Sequence, residues 1–213
     1  KIQAGTLQIK SHPFNLRDCI ESVVEQHRLA AEHKELRLQV AFPDFDDSNV
    51  QGDRHRVEQV LSNLLGNAIK YTQSGEVLLT AHARRDCETL HLTARVSDTG
   101  CGIAEERLEK IFERFTTGDA SIRRRQNGAG LGLSISRSLV LSMGGALTVE
   151  STLNQGSTFE FCLPMKVVEA IKEPVHERRP ISQSGLHILV VDDTELVRQV
   201  TADMLEALGC QVT

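Results

Sequence analysis

The stretch from Asp53 to about Tyr71 constrains this chain more than any other. Val57, Val60, Leu61, Leu64, Leu65, Ala68 and Ile69 recur at helical spacing, while Asn63, Asn67 and Lys70 stand at i, i+4 and i+7 along one face of the same helix. So apolar a helix belongs in a core, and a polar stripe on it needs partners there. Two readings stay open for the asparagines. They form a buried pair satisfied by backbone, or Asn67 offers a hard carbonyl oxygen to Mg²⁺ while Lys70 reaches phosphate, which suits an ion that keeps most of its waters.

Around this helix the chain alternates between the two hydrophobic periods. Leu16, Cys19, Ile20, Val23, Val24, His27, Ala30 and Ala31 predict a helix over about 15–34, and Leu36 to Phe42 a strand closed by Pro43 and the acidic loop of Asp44, Asp46 and Asp47. Residues 76–84 and 89–97 read as a hairpin joined by the polar turn 85–88. A short helix is expected near 105–112, a helix over 131–143 ended by Gly144 and Gly145, and a last hairpin pairing 146–151 with 157–163. The class is therefore α/β, a sandwich of strands and helices mixed. Residues 166–185, charged and carrying Pro174 and Pro180, read as a linker. The run 186–191 then predicts a buried strand, Asp192 and Asp193 end it, and an amphipathic helix over 195–208 is stopped by Gly209. One such βα unit is too small to fold alone.

Composition excludes several roles. In 213 residues, 24 Lys+Arg face 29 Asp+Glu for a net charge of -5, so no global positive field gathers nucleic acid. Aromatics are 4%, with one Tyr and no Trp, which argues against base-stacking platforms. The five cysteines are spread singly and never as C-x-x-C, a pattern of a reducing compartment rather than a disulfide framework or zinc site. No apolar run approaches the roughly 18–20 residues of a membrane helix. The chain is expected to be cytoplasmic and, since it opens with Lys1, to be a piece of something longer.

Two glycine-rich turns could carry chemistry. Asp98-Thr99-Gly100-Cys101-Gly102-Ile103 follows a strand, where small residues let backbone approach a ligand beside one carboxylate. The Asp is either a cap for its own turn or an acceptor for a ligand; were the ligand adenine, its exocyclic amine would donate to it, and guanine would set a carbonyl against the same charge. Cys101 reads as a small buried filler rather than a redox handle. Gly128-Ala129-Gly130-Leu131-Gly132-Leu133 precedes a helix, so its N–H groups are either a phosphate cradle or a plain loop before a helix start. A polar loop instead of a strand before these glycines excludes a Rossmann turn, and no P-loop pattern occurs. Between the two turns, Arg114, Thr116, Thr117 and Arg123-Arg124-Arg125 read as a basic closing lid.

In this order, N-x-x-x-N-A-x-K-Y (63–71), D-x-G-x-G (98–102), I-F-E-R-F (111–115) and G-x-G-L-G-L (128–133) resemble the N, G1, F and G2 boxes of the ATP-binding domain of sensor histidine kinases. Asp53-x-x-Arg56-Val57 before them and Gly156-Ser157-Thr158-Phe159 after them extend the likeness. The resemblance implies a two-layer α/β sandwich with a mixed sheet backed by helices, with residues 12–165 as the catalytic domain, 1–11 as the end of a dimerisation and phosphoacceptor helix, 166–185 as linker and 186–213 as the truncated start of a flavodoxin-like receiver. It implies ATP and Mg²⁺ as cofactors, with Asn67 toward the metal. The nucleotide would be lined by Asn63, Lys70, Tyr71, Asp98, Gly100, Gly102, Ile103, Phe115, Gly128, Gly130, Leu131, Gly132, Leu133 and Thr158. Asp192 and Asp193 would stand for the receiver's acidic metal pair.

The family's phosphoacceptor His and its neighbouring base are expected outside the chain, so autophosphorylation is not expected. His33-Lys34-Glu35-Leu36-Arg37 looks like the phosphoacceptor box but lacks its Pro and falls inside the catalytic domain's own first helix and strand. The resemblance further implies partners in a phosphoacceptor-helix domain and in receiver or phosphotransfer domains, a monomeric fragment, and a homodimeric full protein possible to anchor in the inner membrane. Two alternatives are carried. An ATP-driven clamp of the same superfamily needs a Glu one turn before the metal Asn, where this chain has Asn63; a catalytically silent regulatory or interaction module on the same nucleotide-binding fold would bind partners and perform no chemistry.

Overall fold

The computed structural model describes residues 10–108, 110–113, 131–168, 187–191, 195–207 and 209–213. They fall in two compact units, Lys1–Ile171 and Lys172–Thr213. The first runs β1 (His12–Asn15), α1 (Leu16–Glu32), β2 (Arg37–Ala41), β3 (Asn49–Gly52), α2 (Arg54–Tyr71), β4 (Glu76–Asp86), β5 (Thr89–Asp98), two 3₁₀ turns (Glu105–Arg107 and Lys110–Phe112), α3 (Gly132–Ser142), β6 (Ala146–Thr152) and β7 (Gly156–Val167). The sheet order is β1-β3-β7-β5-β4-β2, with β6 also on β7. Only β2 and β4 pair in parallel among these described strands, so the sheet is mixed, as its α/β reading requires.

Local chemistry sets the helix starts. The Asn15 side chain accepts from the Asp18 N–H at 3.0 Å to open α1, and Asp53 accepts from the Arg56 N–H at 3.1 Å to open α2 while also receiving the Lys10 N–H. α2 lies at the centre of the helical layer, packed on α1, α3, β4 and β5. Val60, Leu61, Leu64 and Leu65 are wholly buried on it, so truncating any of these leucines to Ala costs about 2–5 kcal/mol. The facing side of the sheet alternates as a half-buried strand should: Val77, Leu79, Ala81 and Ala83 on β4, Leu90, Leu92, Ala94 and Val96 on β5, Phe159, Phe161 and Leu163 on β7. The other side carries polar pairs such as Arg95 with Glu160 at 2.6 Å.

Differences from the sequence reading have physical causes. β1 and β3 were not expected; each is four residues long, and they exist by pairing with each other and, for β3, with β7. The linker was expected from residue 166, yet β7 continues through Pro164 to Val167. On that edge β6 pairs up to Cys162 and β3 begins at Lys166, so Pro164 falls in the gap between them, where a missing N–H costs little. The short helix of 105–112 is two 3₁₀ turns instead. The second unit is β8 (His187–Ile188), α4 (Glu195–Ala207) and β9 (Gln211–Val212), with β8 and β9 parallel. The strand expected over 186–191 is ladder only at His187 and Ile188, the length β9 offers.

Candidate functional site

Three chain segments meet at one end of the central strands. α2 supplies Asn63, Asn67 and Lys70, all half-buried, and Tyr71, which is 42% exposed. The Lys70 ammonium stands 5.2 Å from the centre of the Tyr71 ring. β5 delivers Asp98 at its last position, and the turn after it folds back onto the end of α2: the Cys101 N–H donates to the Tyr71 carbonyl.

Among the described residues no cation pairs with Asp98. Its carboxylate accepts from the Gly100 N–H at 2.8 Å and from the Ser157 N–H. Burial nevertheless pushes its pKa above the ordinary carboxylate value, against the pull of those two donors. Gly100 is required by close approach: a Cβ there would lie 2.6 Å from the Tyr71 carbonyl oxygen, 2.8 Å from Asp98 Oδ1 and 3.0 Å from Thr72 Oγ1. Thr72 itself is fully buried, and its hydroxyl has no hydrogen-bond partner among the described residues. Gly102 packs under the Thr152 carbonyl, and Ile103, whose N–H donates to Ser151 Oγ at 2.8 Å, rests against the core. Cys101, expected as buried filler, is exposed, because the turn spends its contacts through backbone.

The third segment is the start of α3. Leu131 precedes it as N-cap, and Leu133 packs against the core. A Cβ on Gly132 would collide with the Asn63 side chain, and Asn63 Nδ2 donates to Ser136 Oγ at 2.9 Å, one helical turn on. Of the expected residues, the structure thus joins Asn63 to Gly132, and Tyr71 to Asp98 and Gly100. Thr158 sits on β7 opposite Ser97, its hydroxyl 3.0 Å from that of Ser97. Phe115, Gly128 and Gly130, the basic stretch 114–125, and Asp192 and Asp193 lie outside the described residues. Ser136 and Thr72 went unnoticed in the sequence. Ser136 was legible as the residue four after Gly132; Thr72 gave no signal, since its burial depends on the glycine turn.

Among the described residues no three His, Cys, Asp or Glu side chains gather into a cation cage. The donor set, a half-buried carboxamide oxygen beside a lysine, instead fits a hard ion carried in on phosphates. No helix of the described residues is long and apolar enough to cross a membrane.

Comparison with known proteins gives the geometry a family. Residues 52–167 match the model described as histidine kinase-, DNA gyrase B-, and HSP90-like ATPase. The sensor protein GacS of Pseudomonas syringae pv. syringae is 36% identical over 213 residues, covering 99% of this chain and 23% of the relative. The signal transduction histidine-protein kinase BarA of Escherichia coli K12 is 34% identical over 215 residues, 100% of this chain and 23% of the relative. The chain thus spans under a quarter of the length of these relatives. Among solved structures, full-length ShkA in complex with AMPPNP aligns with a TM-score of 0.67 at 30% identity, covering 98% of this chain and 41% of that one. The catalytic domain of histidine kinase ThkA aligns with a TM-score of 0.59 at 31% identity, covering 73% of this chain and 95% of that one. With its central polar-striped helix and the glycine turn after Asp98 both inside the matched residues, the chain belongs to the histidine kinase-, DNA gyrase B- and HSP90-like ATPase family, as an ATP-binding catalytic domain of the sensor histidine kinase kind.

Proposed function

We propose that this chain is the catalytic part of a hybrid sensor histidine kinase in a two-component phosphorelay, moving the γ-phosphoryl of ATP to a His outside the chain. Asp98 is the observation that carries the reading. A carboxylate desolvated at a strand end, with backbone donors and no cation among the described residues, suits an acceptor for the adenine amine. Around it, Gly100, Gly102, Ile103 and Thr158 shape the base pocket, and Asn63, Lys70 and Tyr71 line the sugar and phosphate side. Leu131, Gly132 and Leu133 close it from the α3 side, and the family resemblance adds Phe115, Gly128 and Gly130 as nucleotide-binding residues.

Bound Mg²⁺, held by Asn67, would neutralise charge building on the phosphates. The chain's own work is to orient. Lys70 places a positive charge toward the phosphates, and Asn63, tied to Ser136, keeps α2 and the start of α3 in register. In the transfer the bond from the γ-phosphorus to the β–γ bridging oxygen breaks, a His nitrogen of the phosphoacceptor-helix domain takes the phosphoryl, and ADP leaves. Asn63 offers no carboxylate to activate water, which disfavours the ATPase-clamp alternative. The parallel β8 and β9 joined by α4 support a receiver start, with Asp192 and Asp193 as its acidic pair. A cytoplasmic, monomeric fragment of a homodimeric protein belongs to the same reading.

Calorimetric titration with Mg-ATP and Mg-GTP tests it, alongside Asn67→Ala and Asp98→Ala. Micromolar-range ATP binding that weakens in both variants and for GTP is the expected outcome. No heat and no thermal shift with ATP would leave the silent regulatory module.

A further inference from the structure

His33-Lys34-Glu35-Leu36-Arg37, the segment that looks like a phosphoacceptor box, holds an unassigned contact at its second residue. α1 ends here in a tight closure. Glu35 takes a left-handed conformation with φ of 55°, and the Leu36 N–H returns to the Ala31 carbonyl at 3.0 Å. That turn aims Lys34 across to the C-terminus of α2. Its ammonium donates to the carbonyls of Ile69 at 2.7 Å, Lys70 at 3.0 Å and Thr72 at 3.2 Å. All three of its N–H donors have an acceptor, and each acceptor belongs to the helix end whose carbonyls the helix leaves open.

The carbonyl that Lys34 skips is the informative one. Tyr71 turns its carbonyl the other way, to the Cys101 N–H, and against Gly100. Four neighbouring carbonyls are therefore divided between a cation on one side and the glycine turn on the other. Lys70 and Tyr71, whose side chains face the proposed nucleotide, are thereby fixed at their backbone from both directions.

We infer that Lys34 is a positioning residue for the nucleotide site: by clamping the last turn of α2 it sets Lys70, Tyr71 and the Gly100 turn in place without touching the ligand. The inference rests on the ATP-binding reading above, so its test separates the two. The 213-residue chain is titrated with Mg-ATP at 25 °C as wild type, Lys34→Arg, Lys34→Gln and Lys34→Met, with Arg95→Met, on the far face of the sheet, as control. Amide hydrogen exchange at Thr72 and Cys101 is followed without nucleotide. Lys34→Met is expected to weaken ATP binding about fivefold and to speed exchange at both amides, with Lys34→Arg restoring both and Lys34→Gln falling between. A lysine that merely stabilised the fold would lower the thermal midpoint and leave the affinity of the folded protein unchanged. Affinity and exchange in Lys34→Met equal to those of wild type overturn the clamp. Absence of ATP binding in wild type overturns the functional reading instead, and the exchange data still decide the clamp.

Discussion

Asp98 and Asp46 make the same local turn and come to opposite electrostatic ends. Each accepts the backbone N–H of the residue two positions on, Gly100 at 2.8 Å and Ser48 at 2.9 Å. At Asp46 the Ser48 hydroxyl adds a second bond from within the loop, and these two bonds from Ser48 hold the carboxyl below its usual pKa. At Asp98 burial outweighs two backbone donors and holds the carboxyl above it. A carboxylate that satisfies itself has finished its chemistry. One kept desolvated and short of a partner has acceptor capacity left for a ligand, and the turn alone does not tell the two apart.

The largest effect that would break this contrast is on ATP affinity in Asp98→Asn. Replacing the proposed acceptor for the base amine is expected to raise the dissociation constant about tenfold to hundredfold by calorimetry. Gly100→Ala comes next. Its methyl would meet the Tyr71 carbonyl at 2.6 Å, a backbone atom that cannot swing away. A loss of about 1–3 kcal/mol in chemical denaturation is expected, with weaker ATP binding.

Titration of the side-chain carboxyls by NMR sharpens the comparison further. Asp98 should titrate above 3.8 and Asp46 below it. The raised Asp98 favours the folded state fully only below 3.8, and that contribution is lost as pH rises through its folded pKa. The lowered Asp46 contributes above 3.8 and loses its contribution as pH falls through its folded pKa. Nucleotide affinity should accordingly fall on acidification before Asp46 responds at all. The smallest effect belongs to Asp46→Asn, which should leave ATP affinity within about twofold of wild type, since the Asp46 carboxyl takes its hydrogen bonds from Ser48 within its own turn.

Sequence periodicity carried much of this molecule. α1, α2, α3 and the β4–β5 hairpin follow from spacing and caps that lie within each segment, as Asn15 and Asp53 illustrate. β1 and β3 were hidden because four-residue strands have no internal signature and are made by partners far along the chain. Of the proposed site, Asn63, Asn67, Lys70 and the glycine turn after Asp98 were legible as motifs. What could not be read was their backs: the Lys34 clamp and the buried hydroxyl of Thr72 need three-dimensional neighbours from α1 and the Gly100 turn.

The place of β7 has a consequence for how the protein is born. Its neighbours β3 and β5 are both synthesised before it, and the Ser157 N–H that serves Asp98 belongs to its second residue. At about 5–20 residues per second, the ribosome leaves the end of β5 waiting several seconds for that strand. During the wait β5 is an open hairpin edge rich in Leu90, Leu92 and Val96, so nascent chains stalled before residue 156 would be the aggregation-prone species and the natural clients of a chaperone.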